Sequence, residues 1–194
     1  MRGKLIVFYG TNNIGKSTQA RLLEERFQKA GVAIKYIKYP LYDLLPSGKI
    51  LNDYLRENNP YNLSAREAQI IYALNRTQYQ KILEQELDKS INIIAEDYTG
   101  TGIAWGIGAG VEEGFLENIN SHLLLEDQAF LFDGERFEKS IEKNHKHEEN
   151  NDLFSQVRKI HLTMAEKNNW EIINANLSIP EINDILFEKI KKIL

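Results

Sequence analysis

The chain has 194 residues, a formal net charge of -4 and no cysteine, and 42% of its residues are hydrophobic. This length suits one domain with a sizeable core, and the charge balance argues against a nucleic-acid partner, which would favour a clustered excess of Lys and Arg. The absence of cysteine excludes disulfides, zinc-thiolate sites and a cysteine nucleophile, and it is consistent with an intracellular protein. No apolar run approaches the roughly 18 residues of a membrane span, so we expect a cytoplasmic protein that does not bind membranes.

The first predicted strand, residues 4–9, leads through a glycine-rich loop into a helix. Gly10, Gly15, Lys16 and Ser17 match the pattern G-x-x-x-x-G-K-[ST], in which backbone N–H groups surround phosphate oxygens. The lysine reaches the outer phosphates, and the serine offers a hydroxyl to Mg²⁺. The helix that leaves the loop points its positive N-terminal end at the same phosphates. The pattern in its strand-loop-helix context therefore predicts a site for ATP and Mg²⁺.

A second strand and a long helix follow the first helix. Residues 32–40 alternate as a strand that ends at a proline. Ser64 and Glu67 form a capping-box pattern before the long helix, whose Ile70, Ile71, Ala73 and Leu74 are expected to face the core.

Three more strands are predicted at residues 91–97, 129–134 and 170–176. The first of them ends on acidic residues, at the edge where ligands meet the sheets of α/β proteins. The glycine-rich run at residues 99–114 predicts either close backbone approach to a substrate or a flexible flap. The polar, charged segment at residues 138–152 predicts either a lid or a solvated helix face with its loop.

Strands that alternate with helices predict a three-layer α/β fold, in which a five-stranded parallel sheet carries helices on both faces. With a phosphate-binding loop after the first strand, this is the layout of P-loop kinases. We expect one domain over residues 1–194, with a lid segment at about residues 138–152.

Several motifs beyond the loop resemble the thymidylate kinase family in order and spacing over most of the chain. They include "KYP" at residues 38–40, "YALNR" at 72–76 and "EDYTGTGIAW" at 96–105. The family has Arg-aromatic-Pro, aromatic-x-x-Asn-Arg and Asp-Arg-Tyr-x-x-Ser-x-x-Ala-Tyr at these places. The resemblance implies a nucleoside monophosphate kinase that uses ATP and Mg²⁺ to convert dTMP to dTDP, and it implies a homodimer.

The acceptor site is predicted from residue chemistry as well as from the resemblance. Tyr72 and Arg76 lie four residues apart, so on a helix they share a face and can stack on and hydrogen-bond a flat base. The alternative is that Tyr72 packs in the core while Arg76 reaches a surface carboxylate. Lys38, at a strand end, can hold a substrate phosphate as a point charge. Glu96 can orient Mg²⁺ directly or through water.

The candidate site residues fall into four groups. Those assigned to ATP are Gly10, Thr11, Asn12, Asn13, Ile14, Gly15, Lys16, Ser17 and Thr18. Those assigned to the acceptor are Lys38, Tyr39, Pro40, Tyr72, Arg76, Asp97, Tyr98 and Thr101. Lys16 and Glu96 are the candidate catalytic residues, and Ser17 and Glu96 are the candidate Mg²⁺ ligands.

Four positions depart from the family pattern, and all of them bear on the acceptor. Asp97 stands where the resemblance implies an arginine that holds the monophosphate. Lys38 replaces a second phosphate-binding arginine and lacks its bidentate fork. Asn12 replaces an acidic residue that holds the sugar hydroxyl, and Gly106 replaces a glutamine close to the base.

The family's catalytic arginine also has no counterpart, either in the loop or in the predicted lid. Asn13 occupies its place in the loop, and Arg136 and Arg158 are candidates to reach inward. The basic residues of the predicted lid are Lys139, Lys143 and Lys146, with His145 and His147 beside them.

Two alternative functions stay open. If the acceptor is a neutral hydroxyl, Glu96 can act as a general base and the protein is a deoxynucleoside kinase. The other alternative is a nucleotide-binding regulator without turnover.

Overall fold

A computed structural model describes residues 1–135 and 151–194 of the chain. The strands among them are β1 (Leu5–Tyr9), β2 (Ile34–Lys38), β3 (Asn92–Glu96), β4 (Gln128–Asp133) and β5 (Glu171–Asn174). The helices among them are α1 (Lys16–Lys29), α2 (Ser47–Arg56), α3 (Ala65–Asp88), α4 (Thr99–Gly108), α5 (Glu113–Asn120), α6 (Asn151–Asn168) and α7 (Ile179–Lys191).

The strands form one parallel sheet in the order β2-β3-β1-β4-β5. The predicted five-stranded parallel sheet is therefore confirmed, and each strand begins and ends within two residues of its predicted limits. Every residue of β1 and of β3 is buried, as expected for central strands covered on both faces. The carboxyl ends of these two strands, side by side, carry the candidate site.

Alternate residues of β1 pack into two separate hydrophobic layers, because successive side chains of a strand point to opposite faces. Ile6 and Phe8 join a cluster with residues of α1 and α7. Leu5, Val7 and Tyr9 join a second cluster with residues of α3 and α6. The helices thus cover both faces of the sheet, as predicted.

Helix α3 begins with the predicted capping box. Ser64 accepts a hydrogen bond from the backbone N–H of Glu67, whose carboxylate accepts one from the N–H of Ser64. The prediction that apolar residues here face the core is confirmed for Ala73, which is buried, and wrong for Ile70 and Leu74, since 46% and 38% of their surfaces are exposed. The inward face of this half of the helix carries small residues such as Ala73 together with polar residues such as Arg76, and its larger apolar residues Ile70 and Leu74 lie on the outer surface.

The glycine-rich run does not form a flap, because its first ten residues are helix α4. A Cβ at Gly100 would lie 2.5 Å from the Trp170 ring, and one at Gly102 would lie 2.5 Å from Nη2 of Arg76. The close approach seen here is to side chains of this protein, and the predicted approach of the backbone to a substrate stays a prediction. We did not predict α4, since each glycine costs a helix about 1 kcal/mol relative to alanine.

Residues 138–150 of the predicted lid lie outside the described residues, together with Arg136, Lys139, Lys143, His145, Lys146 and His147. In the part of the chain that the structure describes, no helix is long and apolar enough to cross a membrane.

Candidate active site

A cavity of about 540 Å³ opens at the carboxyl ends of the central strands. Residues 12–19 of the glycine-rich loop and of α1 line one side, and residues of α2, α3 and α4 line the other. The cavity therefore connects the predicted phosphate-binding loop with the predicted base pocket.

The loop has backbone geometry that its glycines allow. Gly10 and Gly15 adopt φ values of +132° and +95°, which disfavour residues with a Cβ. A Cβ at Gly10 would also lie 2.6 Å from the carbonyl oxygen of Phe132. Gly15 caps α1 without a side-chain hydrogen bond. The N–H groups of the first helical turn therefore have no side-chain cap, and helix N-termini of this kind suit phosphate oxygens.

Lys16 is buried in the loop, with 3% of its surface exposed. Its Nζ donates hydrogen bonds to the carbonyl oxygens of Gly10, at 2.9 Å, and Thr11, at 2.7 Å. The same Nζ lies 3.5 Å from Oδ1 of Asp97. Gly10 and Thr11 thus position the lysine through their backbone.

Glu96 lies at the end of β3 in a network of donors. Its Oε1 accepts a hydrogen bond of 2.9 Å from Oγ of Ser17 and lies 3.0 Å from Nζ of Lys38. Its Oε2 accepts a hydrogen bond from the hydroxyl of Tyr36. Burial opposes ionisation of Glu96, but Lys16, Lys38 and Tyr36 outweigh it and hold the pKa of this carboxyl below its usual value. An ionised carboxylate beside a serine hydroxyl is a pair of hard oxygen ligands that fits Mg²⁺.

Asp97 follows Glu96 in a left-handed backbone conformation, with φ of +62°. Its Oδ1 accepts a hydrogen bond of 3.1 Å from Oγ1 of Thr101. Burial raises the pKa of Asp97, and nearby Lys16 only partly offsets this. The acceptor side of the cavity therefore carries an acidic group where the family resemblance implies an arginine.

Tyr72 and Arg76 both line the cavity from α3, so they share a helix face as predicted, and their contact with a base stays a prediction. Arg76 is only 3% exposed, and its Nη1 donates a hydrogen bond of 3.1 Å to Oδ1 of Asn120. Its Nε has no hydrogen-bond partner among the described residues. Burial lowers the pKa of Arg76 and raises the pKa of Tyr72. The alternative in which Arg76 reaches a surface carboxylate is wrong, since Arg76 is buried and its guanidinium packs closely against Gly102.

Among the described residues that were predicted for the site, Gly10, Thr11, Tyr98 and Arg158 do not line the cavity. Tyr98 is not among the residues that line the cavity, because its ring is buried in the core, 5.3 Å from the ring of Tyr39. Arg158 does not reach inward: its Nε and Nη2 donate to the two carboxylate oxygens of Asp133, at 2.6 and 2.9 Å. Lys38, Tyr39, Pro40 and Thr101 line the cavity, and their predicted contact with the acceptor stays a prediction.

Residues that were not predicted include Tyr36, which donates to Glu96, and Gln69 and Arg56, which line the cavity. Tyr36 precedes Lys38 by two residues, so strand periodicity indicated that both point to the same face. Gln69 precedes Tyr72 by three residues, so helical periodicity indicated a shared face. Arg56 lines the cavity with its guanidinium 4.7 Å from the centroid of the Tyr42 ring, and no motif marked this arginine.

The parallel sheet, the glycine-rich loop between β1 and α1 and the buried Lys16 define the class of P-loop kinases. The family model for thymidylate kinase matches residues 8–185. Because the match covers most of the chain, the chain belongs to the thymidylate kinase family. It is a nucleoside monophosphate kinase by this membership.

Individual relatives agree with the family model. The chain is 27% identical over 197 residues to the thymidylate kinase of Dictyostelium discoideum, covering 94% of this chain and 82% of that protein. It is 26% identical over 202 residues to the thymidylate kinase of Plasmodium falciparum, covering 99% and 91%. The solved structure of thymidylate kinase from Candida albicans is similar with a TM-score of 0.80 and 25% identity, over 98% of this chain and 92% of that one.

Proposed function

We propose that the protein transfers the γ-phosphoryl group of ATP to dTMP, giving dTDP and ADP. One observation carries the proposal: a single cavity holds both the glycine-rich loop with Lys16 and the pocket formed by Tyr72 and Arg76. Membership of the family and the names of the relatives support the choice of dTMP.

In this reaction the protein must align the two phosphates and stabilise their negative charge. An oxygen of the dTMP phosphate forms a bond to the γ-phosphorus while the bond from that phosphorus to the β-phosphate oxygen breaks, and ADP leaves with the electron pair. The loop N–H groups and Lys16 bind the ATP phosphates. Ser17 and Glu96 would hold Mg²⁺, which would neutralise the charge of the phosphates.

Two cations support binding of the acceptor phosphate in the absence of the expected arginines. Lys38 and Arg56 line the same cavity as the loop. Burial opposes the charge on Lys38, but Glu96 and Asp97 outweigh it and raise its pKa, so this residue is cationic. Arg56 offers a planar fork that matches phosphate geometry. In this proposal the two residues hold the dTMP phosphate, with Arg56 taking the bidentate role that Lys38 lacks.

The base stacks on Tyr72 and accepts a hydrogen bond from Arg76. The position of Tyr72 and Arg76 one turn apart on α3, both lining the cavity, supports this assignment.

The partner that we propose is a second copy of the chain, paired through the outer face of α3. Ile70 and Leu74 are one turn apart on this face and are exposed. Sedimentation equilibrium should give a dimer for the native chain and a monomer for Ile70→Asp; a monomeric native chain would contradict the pairing. The cytoplasmic location expected from composition stays a prediction.

The proposed activity is tested by measuring ADP release with Mg-ATP and a panel of dTMP, dUMP, other monophosphates, thymidine and other deoxynucleosides. We expect turnover with dTMP, and none with Lys16→Met. Turnover with nucleosides alone would show a deoxynucleoside kinase, an outcome for which Glu96 and Asp97 supply carboxylates beside the acceptor. If no acceptor gives ADP release, the protein is a nucleotide-binding regulator without turnover.

A further inference from the structure

The carboxylate of Glu96 has hydrogen-bond donors on both of its oxygens. Its Oε1 accepts from Oγ of Ser17 at 2.9 Å and lies 3.0 Å from Nζ of Lys38. Its Oε2 accepts a hydrogen bond from the hydroxyl of Tyr36. Ser17 and Lys38 line the cavity, whereas Tyr36 does not. The two oxygens therefore have different neighbours: Oε1 lies among cavity residues, and Oε2 is held by a tyrosine outside the cavity lining.

The pairing of β2 with β3 brings the hydroxyl of Tyr36 to this carboxylate. In the parallel register of these strands, Lys38 pairs with Glu96 and Tyr36 pairs with Ile94. Tyr36 thus lies two positions before the partner of Glu96, on the same face of the sheet. Two positions along a strand span about 6.6 Å, a distance that a tyrosine side chain can reach across.

The surroundings of Tyr36 fix its ring between the sheet and α1. The ring packs against the hydrophobic cluster that includes residues of α1 and α7. The guanidinium carbon of Arg21 lies 5.9 Å from the ring centroid, and the backbone N–H of Tyr36 donates to Oε1 of Glu24 at 2.9 Å. Arg21 and Glu24 belong to α1, the helix that also carries Ser17. The hydroxyls of Tyr36 and Ser17 are therefore held in place relative to one another.

Glu96 needs such support because its side chain has three rotatable bonds. Fixing a glutamate side chain costs up to about 2 kcal/mol of conformational entropy. A carboxylate that is already fixed loses less of this entropy when it binds a metal ion. Hydrogen bonds to a metal-binding carboxylate typically raise metal affinity about 10- to 100-fold.

We propose that Tyr36 is a positioning residue for metal binding, an inference that rests on the donor half of the proposed function. The hydroxyl of Tyr36 holds Oε2 of Glu96, so that Oε1 stays beside Ser17 as the oxygen available to Mg²⁺. Tyr36 acts through Glu96 and does not itself bind ATP. Loss of its hydroxyl therefore weakens binding of Mg-ATP but not binding of ATP without metal.

The test measures the Kd of ATP by isothermal titration calorimetry, once with excess Mg²⁺ and once with EDTA. Tyr36→Phe removes the hydroxyl and keeps the ring that packs against α1. This variant should raise the Kd of Mg-ATP about tenfold and leave the Kd of metal-free ATP unchanged. Tyr36→Met serves as a second variant if Tyr36→Phe does not fold.

A double-mutant cycle determines whether Tyr36 acts through Glu96. In the Glu96→Gln chain the carboxylate that Tyr36 holds is gone, so adding Tyr36→Phe should cause no further rise in the Kd of Mg-ATP. If the effects of the two substitutions multiply, Tyr36 acts independently of Glu96 and the inference is overturned.

Tyr61→Phe is the matched control. The hydroxyl of Tyr61 donates a hydrogen bond of 2.8 Å to Oδ2 of Asp53, and Tyr61 does not line the cavity. This variant also loses a hydrogen bond from a phenol to a carboxylate, but both Kd values should stay native.

An unchanged Kd of Mg-ATP in Tyr36→Phe would contradict the inference. An equal rise in Kd with and without Mg²⁺ would also contradict it, because Tyr36 would then only support the fold. These titrations contain no acceptor. The proposed function can therefore fail in the assay with dTMP while the inference about metal binding stands.

Discussion

At the scale of single residues, Asp97 is the departure with the clearest physical consequence. Its left-handed backbone suits Asp, Asn or Gly, so Asp97→Asn removes the negative charge without new strain. An arginine there would also meet the left-handed backbone, at a cost of about 1–2 kcal/mol. Because a carboxylate beside the acceptor repels a phosphate, we expect Asp97→Asn to preserve or raise kcat/KM for dTMP. Steady-state kinetics check this, and a tenfold rise in KM for dTMP would show that Asp97 itself binds the substrate.

Arg56 gives a second prediction at this scale. Arg56→Gln should raise KM for dTMP about tenfold by removing a charged hydrogen bond, leave KM for ATP unchanged and leave the Kd of thymidine, which has no phosphate, unchanged. Arg66→Gln is the control, since Arg66 also stacks on a ring, that of Phe115 at 3.4 Å, but does not line the cavity. If Arg56→Gln weakens the binding of thymidine and of dTMP equally, Arg56 does not bind the phosphate and instead supports the packing of Tyr42.

Single residues were predictable where a local pattern has one chemical purpose. Lys16 and Ser17 follow from a fixed spacing, and Tyr72 with Arg76 follows from one helical turn. Arg56 could not be found in this way, because an arginine at a helix end is ordinary and only the fold brings it to Tyr42. Tyr98 was assigned to the substrate by its motif, yet its ring fills the core.

At the scale of elements, α4 controls the base pocket through its glycines. A Cβ at Gly102 would collide with Nη2 of Arg76 at 2.5 Å, and this guanidinium is too enclosed to move away freely. Gly102→Ala should therefore displace Arg76 and lower kcat/KM for dTMP at least tenfold, with far-ultraviolet circular dichroism unchanged. Gly114→Ala is the control, since its Cβ would meet only Oε1 of Glu112 at 3.8 Å. A normal kcat/KM for Gly102→Ala would mean that Arg76 does not bind the base.

Strands were the most predictable elements, because buried central strands are short apolar runs and β1 and β3 are of this kind. Helix α4 was not predictable, because its glycines disfavour a helix locally. Packing of these glycines against Trp170, Arg76 and Leu116 offsets that cost in the folded chain. The outer face of α3 was misjudged for a related reason. Its apolar residues follow the helical period, but periodicity does not say which face the fold covers.

At the scale of the whole molecule, a parallel sheet with a site at the carboxyl ends of its strands could be derived from the alternation of strands and helices, and the order of the strands was not predicted. The charge pattern inside the cavity could not be derived from the sequence. Glu96, Asp97, Lys16 and Lys38 come into contact only when three strands and a loop meet in the folded chain. These contacts depend on tertiary structure.

Stability of the fold should depend on pH through His161 of α6. The side chain is 1% exposed, neither ring nitrogen has a hydrogen-bond partner among the described residues, and burial with nearby Lys16 lowers its pKa to about 3. Between about pH 6.5 and pH 3 the unfolded chain therefore binds a proton that the folded chain does not. This contribution to the free energy of unfolding is complete above about pH 6.5. It decreases as the pH is lowered, by up to about 1.4 kcal/mol per pH unit.

Urea unfolding at pH 7.5 and pH 5 measures this effect. The free energy of unfolding of the native chain should decrease by about 2 kcal/mol more than that of His161→Leu between pH 7.5 and pH 5. The control His122→Asn, a change at an exposed histidine, should show the same decrease as the native chain. An identical loss in the native chain and in His161→Leu would contradict the assignment.

The central claim is that this cavity transfers phosphate to a nucleoside monophosphate although an acid replaces the expected arginine. Phosphorus-31 NMR of the purified chain with Mg-ATP, dTMP and thymidine in one tube tests it most directly. The account predicts that the dTMP resonance is replaced by the two coupled resonances of dTDP while thymidine persists. Formation of new dTMP from thymidine without any dTDP would contradict the account and identify the hydroxyl as the acceptor.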